Sequence, residues 1–229
     1  MATHTWVVMS LVLILSYLIG AVPVGAIVAR ANNIDISRHG SGKTGTTNVL
    51  RTVGRRAAAL VLAGDFIKGS LAVLLGRLMV AWLLPGEARL ALGTLSISTM
   101  TLVSLLATAA AVAGHVWSIY LRIVLGKWHG GRGVATALGA VLMVNPWIIL
   151  AGVLVAVPTI FMSRYVSLGS IVGAVASALA VIVLVVIGQL EPLALLLILI
   201  SAFIILMHRD NIQRLLKGTE RRLGERVKV

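Results

Sequence analysis

Val141-Leu142-Met143-Val144-Asn145-Pro146-Trp147-Ile148 lies inside an apolar run from Val134 to Met162, and the reading of its Asn-Pro step decides the fold. The residue before a proline is pushed out of the helical region, so this step ends one helix and starts another. It is either a turn at one side of a membrane or a kink within a single crossing. Charge distinguishes the two, because Lys and Arg near span ends mark the cytoplasmic side. The loop after Arg30, the segment before Gly133, the break at Arg164 and the tail from His208 are all basic. The turns at Pro85-Gly86 and at Gly188-Gln189-Leu190-Glu191 are nearly free of cations. With a turn at Asn145-Pro146 the chain crosses seven times and every basic segment falls on one side. Without it the chain crosses six times and the basic tail lands outside. The expected fold class is therefore an all-α polytopic membrane protein, with seven transmembrane helices and cytoplasmic polar motif loops.

Outward from that step, the expected spans are Trp6 to about Ala29, Ala57 to about Leu84, Leu90 to about Ala113, Val134 to Val144, Pro146 to Met162, Val166 to about Ile187, and Pro192 to about Met207. Val134–Val144 is only about half the ~20 residues of an ordinary span, so it begins earlier or is partly re-entrant. Residues 1–229 read as one membrane-embedded domain with a basic cytoplasmic tail, 208–229. Composition agrees. Of the 229 residues, 59% are hydrophobic and 12% charged, against about 25% charged in soluble domains. The first run shows no small-residue cleavage site and reads as a retained span. The chain has no cysteine, which excludes disulfides and thiolate metal sites. The net charge of +13 suits cytoplasmic loops and anionic ligands. Nucleic acid is a poor partner, because the cations sit in short loops between spans.

The polar stretches carry the chemistry. His39-Gly40-Ser41-Gly42-Lys43-Thr44-Gly45-Thr46-Thr47-Asn48-Val49-Leu50-Arg51 holds three glycines, four hydroxyls and several cations, and no carboxylate. Glycines let successive N–H groups turn inward as an anion nest; the alternative is a polar loop of turns obeying the positive-inside rule. His129-Gly130-Gly131-Arg132-Gly133 feeds a helix start, where free N–H groups and the dipole favour anions and Arg132 adds a bidentate donor. Two such loops on one face favour phosphate. Asp65 and Lys68 share a helix face inside a span, as a functional pair or as an ion pair with each other or with Arg51. His208 and Asn211 also share a face, and a histidine there suits acid–base work or phosphate orientation. Arg164-Tyr165-Val166-Ser167 offers a cation and a hydroxyl, with Tyr165 as an interface anchor by default. His115 complements a helix C-terminus, and Asp210 with Arg214 forms a solvated pair. There is no GxSxG elbow, no Walker A spacing and no histidine pair at metal spacing, so a covalent serine mechanism is not supported.

Taken in order, Gly40-Ser41-Gly42-x-x-Gly45-x-Thr47-Asn48-Val49-Leu50-Arg51, Asp65-x-x-Lys68-Gly69, Gly114-His115, Gly130-Gly131-Arg132-Gly133-Val134-Ala135-Thr136, Arg164-Tyr165-Val166-Ser167 and His208-Arg209-x-Asn211-Ile212-x-Arg214-Leu215-Leu216-x-Gly218-Thr219-Glu220 give the chain a family likeness. It resembles the bacterial membrane-integral glycerol-3-phosphate acyltransferases that use acyl phosphate as donor, the PlsY type. The resemblance implies a multi-pass enzyme of the bacterial plasma membrane, with its motifs on the cytoplasmic side, acting in phospholipid biosynthesis. It implies acyl transfer from acyl phosphate to the 1-hydroxyl of glycerol 3-phosphate, giving lysophosphatidic acid and phosphate. Ser41, Arg51, Arg132, Ser167, His208 and Asn211 match a pocket for two phosphates, with Gly130 and Gly131 as the anion hole and Thr47 and Asn48 in the first motif. Lys68 joins the binding set, and Ser41, Arg132, His208 and Asn211 form the catalytic one. No metal or cofactor is expected, since acyl phosphate is already activated. Membrane lipid and an enzyme that produces acyl phosphate are the implied partners. The chain departs from the usual pattern at Lys43, Thr46 and His129 and in a longer 115–130 segment, so Lys43 is left outside the core site. The readings that compete are a divergent member acting on another phosphorylated alcohol, a transporter or flippase for a phosphorylated solute or lipid, and a structural subunit holding anionic lipid. No strong internal repeat supports a transporter.

Overall fold

The computed structural model describes residues 2–86, 89–92, 95–126, 128 and 130–226. His129, which begins the second glycine loop, and Lys127 in the basic segment before it lie outside the described residues. The first apolar run divides at Pro23 into α1 (Ala2–Ala21) and α2 (Val24–Ala31). Proline removes a backbone donor and leaves carbonyls unserved. Here the Val22 carbonyl accepts from Lys68 Nζ at 2.8 Å, the kind of substitution that lets a break persist at membrane depth. After the first polar loop come α3 (Thr46–Thr52) and α4 (Arg55–Leu83).

The third span does not begin at Leu90. Arg89–Leu92 (β1) and Leu95–Ser98 (β2) pair antiparallel, with Arg89 opposite Ser98 and Leu90 opposite Ile97, and α5 covers only Thr99–Val116. This small hairpin corrects the all-α expectation. Its cause is local: Ser96-Ile97-Ser98 alternates with a period of two, and Ser98 Oγ then caps α5 by accepting from Thr101 N at 3.3 Å. Glu191 binds the hairpin to a distant turn. It accepts from Arg89 Nη1 at 2.8 Å and from Ser98 N at 3.2 Å.

Beyond α6 (Ile119–Leu125) and α7 (Val134–Leu142), Asn145 Oδ1 accepts from Trp147 N at 2.9 Å and Pro146 opens α8 (Pro146–Ser163). A polar cap followed by proline is a favoured helix start, so the Asn-Pro step is a helix boundary. The chain continues with α9 (Val166–Val186), a 3₁₀ turn at Pro192–Leu196, α10 (Leu197–Met207) and α11 (Arg209–Leu216), the last two bent by 54° at His208. Among the described residues, five segments are long and apolar enough to cross a membrane, and six if the bent pair counts as one. Helix α7 has nine residues and is ~14 Å long, about half of the ~30 Å hydrocarbon core. It is held by backbone contact with α4. A Cβ at Gly139 would lie 1.9 Å from the Phe66 carbonyl oxygen, and one at Gly69 would lie 2.1 Å from that of Thr136.

Helix α5 is the centre of the bundle: Val103, Ala107, Thr108, Ala111 and Val112 along it are fully buried. Val103 and Ala107 pack with Val12 and Val73. Leu105 faces Ile148, Val181 and Leu197, and Val112 meets Ala137 and Ile204. Leu154, Phe161 and Met162 on α8 stay exposed, an apolar surface of the kind that lipid covers.

Candidate active site

The first loop is shaped by its glycines and by one amide. Gly40 and Gly42 have φ of 63° and 69°, a left-handed conformation that side chains with a Cβ adopt at a cost. Asn48, 4% exposed on α3, fixes the turn. Its Oδ1 accepts from Ser41 N at 3.1 Å, and its Nδ2 donates to the carbonyls of His39 at 3.1 Å and Lys43 at 2.9 Å. Asn48 lines the site, but its amide hydrogens are committed to holding the loop.

The second glycine loop rests against the first. The nearest atom to a Cβ at Gly45 would be Gly131 Cα, at 3.7 Å. Beneath lies the end of α5: a Cβ at Gly130 would be 1.9 Å from the His115 carbonyl oxygen, and one at Gly131 would be 2.2 Å from His115 Nε2. These glycines are required by close packing as well as by any anion. The His115 ring is buried rather than interfacial, with Nδ1 3.1 Å from Thr136 Oγ1 and 3.5 Å from Asp65 Oδ1. Asp65 pairs in turn with Lys68 at 2.8 Å. Lys68 is thus engaged by Asp65 and by the Val22 carbonyl, away from the cavity wall. Of the alternatives for this pair, the structure supplies the mutual ion pair.

A third element closes the site. Glu220, 7% exposed, accepts from Ser167 Oγ at 3.0 Å, Asn211 Nδ2 at 2.7 Å and Arg214 Nε at 2.7 Å. Burial pushes its carboxyl up, but the hydrogen bonds from Arg214, Asn211 and Ser167 outweigh that and hold it below the ordinary carboxylate value. His208 Nδ1 lies 2.7 Å from the Ile204 carbonyl. A carbonyl only accepts, so Nδ1 carries the proton and Nε2 is the free base of the neutral ring.

These parts line one cavity of roughly 440 Å³. Ser41, Thr47, Asn48, Arg51, Gly131, Arg132, Ser167, His208 and Asn211 all reach it; Gly130 and Lys68 do not. Its cations are Lys43, Arg51 and Arg132, and its carboxylates, Asp65 and Glu220, already have protein partners. Lys43 is pushed below the usual lysine value by burial and then by the neighbouring Arg132. Arg132 is lowered by burial and then by Arg214. Arg132 Nε and Asn211 Oδ1 are buried polar atoms with no protein partner among the described residues. The head of the cavity therefore presents uncompensated positive charge, a free acceptor and a free base. Below it the wall turns apolar along α7, α8, α9 and α10.

The glycerol-3-phosphate acyltransferase family model matches residues 10–218. The chain belongs to that family. It is 42% identical over 220 residues to glycerol-3-phosphate acyltransferase 3 of Dehalococcoides mccartyi (strain CBDB1), covering 95% of this chain and 97% of the relative. It is 43% identical over 218 residues to glycerol-3-phosphate acyltransferase 1 of Deinococcus radiodurans, covering 95% and 96%. Its fold is similar to that of PlsY (YgiH), an integral membrane glycerol 3-phosphate acyltransferase. The match to the glycerol 3-phosphate form has a TM-score of 0.75 and 33% identity, over 94% of this chain and 96% of that one. The match to the lysophosphatidic acid form has a TM-score of 0.72 and the same identity, over 94% and 95%.

Family membership makes the chain an acyltransferase, and the geometry adds residues that sequence reading left out. Lys43 sits in the cavity, although its departure from the family pattern argued for excluding it. Glu220 organises three side chains from two other segments; it ends the last motif of the sequence, but nothing there assigns it to the site. His115 supports the second glycine loop from below. The Gly114-His115 pair was visible in the sequence, but its place under Gly131 depends on how α5 meets that loop.

Proposed function

We propose that this protein transfers a fatty acyl group from acyl phosphate to the 1-hydroxyl of glycerol 3-phosphate, giving lysophosphatidic acid and phosphate. One observation carries the reading: a single cavity joins a cationic head to an apolar tail. Two phosphate-bearing substrates need several positive charges without competing carboxylates, and Lys43, Arg51 and Arg132 supply them. The donor's acyl chain lies along the apolar wall. That wall begins directly after Arg132, so the donor phosphate sits by Arg132 and Lys43 and the acceptor phosphate towards Arg51, whose Nη2 donates to the Arg221 carbonyl at 2.9 Å. The closed apolar end speaks against a path through the membrane.

In the reaction, the hydroxyl oxygen attacks the acyl carbonyl carbon and gives its proton to His208 Nε2. The carbon–oxygen bond to phosphate then breaks, and His208 returns the proton to the leaving phosphate. Arg132 stabilises the charge that develops on the carbonyl and phosphate oxygens. Positioning of two bound substrates supplies much of the rate. The basic segments support a cavity head on the cytoplasmic side of the bacterial plasma membrane, with α7 as the short seventh element of one membrane-embedded unit. Acyl phosphate comes from a separate enzyme that makes it.

Purified protein given glycerol 3-phosphate and palmitoyl phosphate is expected to form lysophosphatidic acid and phosphate in equal amounts, and to form neither with palmitoyl-CoA. No product from either donor would overturn the reading. His208→Ala is expected to lower kcat by about 10²–10⁴-fold with the melting temperature kept; near-normal turnover would remove His208 as the base.

A further inference from the structure

The apolar part of the cavity has a definite end. Its last wall residues are Ile148 on α8, Val181 on α9 and Leu197 on α10. They are 2%, 1% and 3% exposed, and Leu105 and Leu184 pack in the same cluster. By contrast Val157, nearer the polar head, is 42% exposed, so the groove is open beside the head and shut at the far end. Between the two, the space is made by small side chains. A Cβ at Gly152 would meet Ser177 Oγ at 2.3 Å, and one at Gly173 would meet Ala156 Cβ at 2.9 Å, which keeps α8 and α9 close and the groove narrow.

We infer that Ile148, Val181 and Leu197 form the stop that sets the longest acyl chain this protein takes. This rests on the acyl-transfer reading and deepens it. The polar head is marked by Ser167 on α9 and His208 after α10. From Ser167 to Val181 the helix advances ~21 Å, and from His208 to Leu197 ~16 Å, at ~1.5 Å per residue. A zigzag of ~1.5 Å carbon–carbon bonds advances ~1.3 Å per carbon. The groove therefore holds a straight chain of about 12 to 16 carbons. A longer chain meets packed side chains that do not yield, because interiors are filled to crystal-like density.

The test is a series of decanoyl, dodecanoyl, myristoyl, palmitoyl and stearoyl phosphates with glycerol 3-phosphate as acceptor. Val181→Phe is expected to shift the optimum down by about three carbons, lowering the palmitoyl-to-dodecanoyl ratio of kcat/KM at least tenfold. Ile148→Ala is expected to shift it up, raising the stearoyl-to-palmitoyl ratio several-fold. Leu197→Phe narrows the same end from a different helix and repeats the downward shift if Val181→Phe does not fold. Gel filtration and thermal unfolding in detergent establish which variants are folded. Folded Val181→Phe or Leu197→Phe protein with the unsubstituted chain-length profile would overturn the inference. Absence of product from the unsubstituted protein with every donor would overturn the transfer reading itself, and with it this one.

Discussion

Glu220 and Lys43 illustrate opposite electrostatic situations within one cavity. Glu220 holds Ser167, Asn211 and Arg214 in place, and hydrogen bonds to a charged group contribute about 1.5–3 kcal/mol each net of exchange with water, without adding fully. Glu220→Ala is expected to cost about 2–4 kcal/mol of stability and to lower turnover through displacement of Asn211; thermal unfolding and product formation measure both. Its folded value lies below the ordinary one, so its contribution is present above the unfolded value and is lost as pH falls through the folded one. The stability gap between the unsubstituted protein and Glu220→Gln should therefore close in acid. Lys43 has no carboxylate partner among the ion pairs of the described residues, and burial with Arg132 lowers its value. Lys43→Ala is expected to raise KM for acyl phosphate about tenfold, the ~1.4 kcal/mol of one charge-assisted contact. As pH rises through its lowered value the ammonium is lost and KM climbs. Lys43→Arg should move that climb to higher pH.

At the scale of elements, α7 is the part that would not be stable by itself. Nine residues in this position have little helix cooperativity to draw on, so the helix depends on its contact with α4. Arg132 stands immediately before the left-handed Gly133, with φ of 83°, that opens α7. Any shift of α7 therefore moves Arg132. Gly139→Ala places a methyl group against the Phe66 carbonyl and should cost about 1–3 kcal/mol by overpacking. It is expected to lower the melting temperature and reduce kcat/KM without touching the cavity, as thermal unfolding and steady-state kinetics would record. The Asn145-Pro146 boundary after α7 was legible because proline and the Asn cap act within two residues. Helix α5 starts at Thr99 and not at Leu90 because Ser98 caps it and the β1–β2 pairing takes the apolar residues before it.

For the whole molecule, the proposed reaction implies that the +13 charge steers its anionic substrates to the cavity head. Added salt screens that field, with a Debye length of ~10 Å at ~0.1 M. kcat/KM for the two phosphate-bearing substrates is expected to fall several-fold between low and moderate ionic strength while kcat changes little, because steering acts on encounter. Measuring both constants in the two salts checks this.

The sequence by itself determined the membrane class, the helical character of the apolar runs and most of the polar residues that share the cavity, but not the number of full crossings. Those properties follow from hydropathy, proline and glycine chemistry and motif order, all of which act within a few residues. Only the tertiary structure decided which polar groups face the cavity and which hold the fold. Asn48 and Lys68 look like ligands in the chain, yet Asn48 is taken by the Ser41 N–H and two loop carbonyls, and Lys68 by the Val22 carbonyl and Asp65. Lys43 and Glu220 look peripheral, yet packing places them at the cavity. The closed end at Ile148, Val181 and Leu197 exists only where three helices meet. Long-range packing sets these roles, and no short stretch of the chain encodes them.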